Sequence, residues 1–409
     1  MHATQSTRLW QVVVCAISAL CVVSCSDASE SELATTDYPP IVVPPAPMAE
    51  QTWQQRGHIV SETSLSDLKP ILAGSQGRAW RATYKSVNAT TGQQTEVMGA
   101  FFIPVGDPPE AGWPVIALAH GTTGATNNCG PSTEADLRGD ANVAAGFLQA
   151  GYAVTVTDYE GLGSSGQHPY LEPRTAAFNL IDSVRALRAL DPATSDRWLA
   201  YGVSQGGQAA WAAAEFAGWY GTGLTLKGAV ALAPAANIVG FSELSFRHEL
   251  TRDQLMIAPM VIAGLARYDS TVDLPQFLRG DSLDDLGSLT GCSTVDAVAR
   301  AATISPQDVG PTTAVQMQVL TDALRRIALP QRPTQVPLLV MNGMQDRLVF
   351  PQWVADAVAR SCDLGERIQH REIAEAGHSD LKVDDTVRDW INDRFAGTPA
   401  PTNCSEDAG

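Results

Sequence analysis

The stretch Trp198–Gly207, WLAYGVSQGG, decides the fold. A short apolar run ends in Gly202-Val203-Ser204-Gln205-Gly206, and the small-residue segment QAAWAAAEFA follows at once. Strand, G-x-S-x-G and helix in that order place Ser204 on a sharp turn, where the flanking glycines leave room for strained backbone angles. Such a turn lifts the hydroxyl above the sheet. The next backbone N–H, that of Gln205, then falls at a helix N-terminus, where negative charge is stabilised. The pattern alone is weak, and its strand and helix context is what gives it meaning. An inert serine in a glycine-rich turn is the plain alternative.

Working outward, apolar strands alternate with helical segments. QTEVMGAFFIP (94–104) reads as a strand of an early hairpin, WPVIALAHG (113–121) and GYAVTVTDYEG (151–161) as continuous apolar strands. RTAAFNLIDSVRALRAL (174–190) has helical periodicity after Glu172-Pro173. LKGAVALAPA (226–235), VPLLVMNGMQD (336–346) and QHREIAEAGH (369–378) read as strands, and DTVRDWINDRF (385–395) as a closing amphipathic helix. This alternation predicts an α/β fold with a mostly parallel, doubly wound sheet. Between Ala235 and about Pro333 the alternation breaks, over a stretch too long for a plain loop, so a helical cap is expected there. It contains the apolar run QLMIAPMVIAGLARY (254–268), interrupted by Pro259. The insertion leaves the sheet at a strand's C-terminal end, where open α/β sheets bind ligands. The predicted divisions are a core over 51–235 and 336–396, a cap over 236–335 and a tail over 397–409.

The 409 residues are 44% apolar, ample for a large core, and carry a net charge of −17 with only four lysines. No basic stripe is present, which argues against nucleic-acid binding. At the N-terminus, Arg8 precedes the apolar run QVVVCAISALCVV (11–23), too short to span a bilayer comfortably. It leads into Val22-Val23-Ser24-Cys25, which looks like a bacterial lipobox. Residues 1–24 are therefore expected to be a lipoprotein-type signal peptide, with Cys25 lipidated and 25–50 an extended Pro-rich tether. Ser26 favours the outer membrane. Cleavage near Ala28 with secretion or periplasmic release is the alternative. Of the remaining cysteines, Cys129, Cys292, Cys362 and Cys404 allow three pairings in an oxidising compartment. Cys129–Cys292 and Cys362–Cys404 are favoured, the first tying core to insertion and the second pinning the tail. Their spacing fits no zinc pattern.

A serine hydroxyl needs a base to take its proton, and the base needs an acid to fix its tautomer. Asp346 follows one strand and His378 the next, in the chain order Ser, acid, His. Asp380 and Asp384 are alternative acids. His168 could line the site, whereas His370 lies within a strand. A second oxyanion donor is expected from the loop His120-Gly121-Thr122-Thr123-Gly124, most directly the Thr122 N–H beside that of Gln205. His120 itself is read as holding that loop.

Taken together, AHGTTGATNNCGPS (119–132), GYAVTVTDYEGLGSSGQHPYL (151–171), GVSQGGQAAWAA (202–213), NGMQDRLVFP (342–351) and AGHSD (376–380) resemble the secretory lipase family of α/β-hydrolases. The resemblance spans about residues 75–396. It implies an α/β-hydrolase fold with a helical cap after the sixth strand, a Ser204–His378–Asp346 triad and two disulfides. It also implies Asp158 and Glu160 beside the site, either supporting it from behind or only fixing their loop. The chain departs from the yeast members, which act on triacylglycerols, in lacking a long uninterrupted apolar run in the cap. The expected activity is hydrolysis of carboxylic esters, small-molecule or lipid, with no metal or organic cofactor. A peptidase or acyltransferase using the same triad is the runner-up, and a non-catalytic binding protein on the same fold is the rival from another class.

Overall fold

The computed structural model describes residues 38–293, 295–381 and 384–404, with only the backbone described for 295–297, and all of these belong to one unit, Asp37–Gly409. The candidate lipid site Cys25 and the proposed signal segment lie outside the described residues.

Nine strands among the described residues form one sheet: β1 (Ile59–Ser64), β2 (Gln76–Val87), β3 (Gln94–Pro104), β4 (Trp113–Ala119), β5 (Ala153–Thr157), β6 (Thr194–Val203), β7 (Thr225–Leu232), β8 (Leu338–Gly343) and β9 (Ile368–Ile373). Their order is β1-β2-β3-β5-β4-β6-β7-β8-β9. The first three strands and the β3–β5 pair are antiparallel, and every pair from β5 to β9 is parallel. Parallel strands need covering on both faces, and the side chains show it. Val115, Ala117, Trp198, Ala200, Ala229, Ala231, Leu338 and Val340 enter one core. Their alternating neighbours Ile116, Leu118, Leu199, Tyr201, Val230, Leu232, Leu339 and Met341 enter the other. Continuous apolar strands are what a sheet buried on both faces requires.

The longer helices are α1 (Ala141–Gln149), α2 (Pro173–Leu190), α3 (Gln205–Phe216), α4 (Arg252–Tyr268), α5 (Ala314–Ile327), α6 (Pro351–Asp363) and α7 (Asp385–Ala396). Helices α2, α3 and α6 feed the first core, through Phe178, Ile181, Trp211 and Val354 among others. Helices α1 and α7 feed the second, through Ala144, Leu148, Trp390 and Ile391. Helix α2 starts where the sequence places it: Pro173 occupies its first turn, and the Glu172 carboxylate accepts from Thr175 N–H.

Four differences from the sequence reading have physical causes. Strand β1 was missed because IVSETS is an almost wholly exposed edge strand, so hydropathy carries no signal for it. The cap accordingly follows the seventh strand counted along this chain, not the sixth. Pro259 does not interrupt its helix, because α4 runs through it from Arg252 to Tyr268. Finally, the tether is docked from Pro39 onward. Arg325 Nε donates to Pro39 O (2.8 Å), Ile41 N to Arg325 O (2.9 Å), Val43 N to Gln331 Oε1 (3.1 Å) and Ala46 N to Ala89 O (2.8 Å). A proline-rich strand makes no internal hydrogen bonds, so its peptide groups are available for such strapping.

The cap is held to the core at both ends of the site. Disulfide Cys129–Cys292 and the bonds Ala125 N to Thr290 O and Ser293 N to Thr123 O join it to the loop after β4. At that junction Gly124 has φ +125°, and a Cβ there would lie 2.6 Å from both Cys129 Sγ and Gly291 O. At the other end, Thr251 Oγ1 donates to Arg347 O (2.6 Å) and Gln254 Nε2 to Leu348 O (3.2 Å), fastening the start of α4 to the loop after β8. Disulfide Cys362–Cys404 ties the tail to the end of α6.

Candidate active site

Ser204 stands between β6 and α3 with φ 58° and ψ −118°, a conformation costly for any residue with a side chain. The turn is held by Ser204 N donating to Leu232 O (2.8 Å) and by Gln208 N donating back to Ser204 O (3.0 Å). Gly206 is obligatory because a Cβ there would meet Ala119 O at 1.8 Å. The same close packing brings the loop after β4 up to the serine.

His378 and Asp346 come from loops that the parallel register sets side by side at the ends of β9 and β8. His378 Nε2 lies 3.0 Å from Ser204 Oγ, and His378 Nδ1 lies 2.7 Å from Asp346 Oδ2. The other oxygen, Asp346 Oδ1, accepts from Leu348 N (2.8 Å) and Val349 N (2.9 Å). Both carboxylate oxygens are thus engaged and the group is buried, so its orientation is fixed. With Nδ1–H pointed at a carboxylate, Nε2 is the acceptor facing the serine hydroxyl. Asp380 and Asp384 are placed otherwise: Asp380 accepts from Gly377 N, and Asp384 caps α7.

Thr122 lies in the wall of the same cleft, and its Oγ1 is 2.7 Å from Tyr170 Oη. Neither the Thr122 N–H nor the Gln205 N–H has a partner among the described residues. His120 is buried behind Thr122, with ring nitrogens 2.6 Å from Gly121 O and 3.2 Å from Asp158 O; burial lowers its pKa to about 4, so it is neutral. Asp158 and Glu160 touch none of Ser204, His378 and Asp346. Asp158 accepts from Ser132 N (2.7 Å) and Ser132 Oγ (2.5 Å), with burial pushing its pKa up to about 7. Glu160 accepts from Asn88 Nδ2 (3.0 Å). Both fix loops.

Two links were not legible beforehand. His168 is buried, and burial lowers its pKa to about 3. Its Nδ1–H donates to Glu160 O (2.8 Å), so its Nε2 accepts from the Gln205 side-chain amide (2.9 Å) and fixes the first residue of α3. Arg267 of α4 donates to Ala125 O (3.1 Å) and His168 O (2.6 Å), binding the cap, the loop after β4 and the His168 loop together. No local pattern announces such contacts. His370 pairs with Asn342 inside the sheet, away from the cleft.

Ser204 and His378 line a cleft of about 710 Å³, whose apolar wall includes Ile238, Phe241, Ile257, Val261, Val349 and Trp353. A second hollow of about 340 Å³ adjoins it, sharing Ile257, Leu348 and His378 and adding Met256, Met260 and Leu289. The apolar face of α4 therefore lines both, despite Pro259. A largely apolar cleft thus lies beside an aligned hydroxyl, imidazole and carboxylate.

Comparison with known proteins agrees with this architecture. The secretory lipase family matches residues 133–403, well over half of the chain. The chain belongs to the secretory lipase family, a family of lipase/esterase-type hydrolases with the α/β-hydrolase fold. A Mycobacterium tuberculosis protein described as a probable inactive lipase is 30% identical over 276 residues, covering 62% of this chain and 57% of that protein. Among solved structures, Candida antarctica lipase A in its closed state matches with a TM-score of 0.67 at 17% identity, over 85% of this chain and 86% of that one. The ligand-bound rice cell wall degrading esterase LipA of Xanthomonas oryzae matches with a TM-score of 0.66 at 19% identity, over 84% and 97%. At these identities the two structures speak for the fold.

Proposed function

We propose that the protein is a serine carboxylic-ester hydrolase in which Ser204 is the nucleophile, His378 the general base and Asp346 the group that orients it. One observation carries this reading: the unbroken Ser204–His378–Asp346 relay, at 3.0 and 2.7 Å, in the wall of an apolar cleft. His378 Nε2 takes the Ser204 proton as Oγ bonds to the ester carbonyl carbon. The resulting oxyanion is held by the free N–H groups of Thr122 and Gln205, each such donor contributing about 2.7–4 kcal/mol to transition-state stabilisation. His378 then gives the proton to the departing alkoxide, and the alcohol leaves. Water repeats the sequence on the acyl-enzyme and regenerates the serine. That the M. tuberculosis relative is described as a probable inactive lipase concerns that protein, and in this chain the three groups stand within hydrogen-bond distance of one another.

The test is hydrolysis of p-nitrophenyl esters from acetyl to palmitoyl. Turnover peaking at medium chain lengths is expected from an apolar cleft walled in part by the cap residues Phe241, Ile257 and Val261. Absence of turnover across the whole series, with turnover of aminoacyl anilides instead, would overturn the reading in favour of a peptidase.

We also propose that the protein is exported and anchored through acylated Cys25. The apolar run 11–23 leading into Val22-Val23-Ser24-Cys25, together with membership of the secretory lipase family, supports this reading. Labelled palmitate incorporated by the wild type and lost in Cys25→Ser is the expected result; equal labelling of both would contradict it.

A further inference from the structure

Thr122 and Gln205, proposed above to hold the oxyanion, belong to different elements, the loop after β4 and the start of α3. One short segment, His168-Pro169-Tyr170 in the loop between β5 and α2, reaches both. His168 Nε2 accepts from the Gln205 side-chain amide (2.9 Å), and Tyr170 Oη lies 2.7 Å from Thr122 Oγ1. A tight turn sets these two arms relative to each other. Tyr170 N donates to His168 O (2.9 Å) across Pro169, whose ring pins its φ. Both side chains are buried, and the His168 ring stacks on that of Tyr159 with centroids 6.0 Å apart. Close packing on this scale leaves neither arm free to swing.

The cap helix α4 clamps the same segment from the other side. Arg267 donates to His168 O (2.6 Å) and Tyr268 Oη to Tyr170 O (3.1 Å), so the carbonyl of each arm is held. Gly264, one turn earlier, lies so close that a Cβ on it would stand 2.8 Å from Tyr170 Cβ. Contacts thus run without a break from the cap, through three residues, to the two residues that must be placed together. An oxyanion donor is effective when it is fixed before charge develops, at about 2.7–3.1 Å from where the oxyanion will be.

We propose that His168 and Tyr170 are positioning residues for ester cleavage: they form a strut that aligns Thr122 with Gln205, and through it the seating of α4 governs how well the oxyanion is held. This rests on the ester-hydrolase reading above and adds a route by which the cap acts on the chemical step. Among the described residues, the strut makes no hydrogen bond to Ser204, His378 or Asp346. Loosening it therefore leaves proton transfer by His378 as it is.

The experiment measures kcat, KM and the pH profile for p-nitrophenyl octanoate in the wild type, Tyr170→Phe, Tyr268→Phe and the double variant. Circular dichroism and melting temperature confirm that each is folded. Phenylalanine keeps each ring and removes only the hydroxyl. Tyr170→Phe is expected to lower kcat about tenfold, with KM within about twofold and the pH profile unshifted, because a misplaced donor costs rate and not ground-state binding. Tyr268→Phe lowers kcat about threefold alone and adds little in the Tyr170→Phe background, because it acts through Tyr170. His168→Leu loses about as much as Tyr170→Phe, and His168→Gln, which keeps an acceptor facing Gln205, recovers most of the loss. The proposal is overturned by an unchanged kcat in any of Tyr170→Phe, Tyr268→Phe and His168→Leu. Losses that multiply in the double variant, a loss carried by KM, or equal losses in His168→Gln and His168→Leu also overturn it. A second arm needs no turnover: hydrogen–deuterium exchange of peptides covering 119–125 and 203–208. Faster exchange in both stretches of Tyr268→Phe supports the strut even if no ester is cleaved, in which case the hydrolase reading alone fails. Exchange unchanged in either stretch overturns the strut even if esters are cleaved.

Discussion

Replacing Ser204 by alanine is expected to lower kcat for ester hydrolysis by about ten-thousandfold to a millionfold, to the residual rate that binding and oxyanion stabilisation alone support. The size of the effect follows from the relay. Ser204 Oγ lies 3.0 Å from His378 Nε2, and alanine removes the hydroxyl that the proposed mechanism has the imidazole deprotonate. The fold should survive. The turn is held by backbone bonds to Leu232 O and from Gln208 N, and alanine keeps the Cβ that already tolerates φ 58°. The check is turnover of a medium-chain p-nitrophenyl ester by purified wild type and variant at matched melting temperatures. Residual activity above a few per cent would mean that another group performs the attack.

Asp346→Asn is expected to cost about a thousandfold to ten-thousandfold in kcat at neutral pH, with little change in structure. The reason is the set of partners at each oxygen. Oδ1 accepts from Leu348 N and Val349 N, so an asparagine must keep its oxygen there and turn its amide nitrogen toward His378. That nitrogen donates and cannot accept, so the ring is driven to the tautomer with the proton on Nε2. A protonated Nε2 facing Ser204 is no base. Asp380→Asn and Asp384→Asn are the controls, because these residues cap a loop and a helix. They should change stability by about 1 kcal/mol or less and leave kcat within a few-fold. A loss at Asp346 smaller than tenfold, or an equal loss at Asp380, would assign the acid elsewhere.

What was legible in the sequence was what a local rule governs. The G-x-S-x-G turn announces itself because Gly206 has no room for a Cβ against Ala119 O. Asp346 and His378 could be named from strand ends and chain order, since parallel strands deliver their C-terminal loops to one edge. The pairing Cys129–Cys292 could be favoured because one cysteine follows β4 and the other lies in the insertion. The rest depends on contacts between distant residues. Strand β1 carries too little apolar pattern to be seen, and Pro259 reads as a break although α4 continues through it. The docked strap from Pro39 and the His168–Gln205 link are hydrogen bonds over long separations, with no period or motif to mark them. Arg138 and Asp140 look like ordinary surface charges until the fold sets them in the cleft wall.

The most direct test of the central claim is reaction of the folded protein with a p-nitrophenyl alkylphosphonate, followed by mass spectrometry of its peptides. A nucleophile activated by the relay should release one p-nitrophenol per chain, leave the phosphonyl group on Ser204, and lose ester hydrolysis in step with labelling. Labelling that is absent, or that falls on another residue while Ser204 stays unmodified, would contradict the assignment of Ser204 as the attacking group.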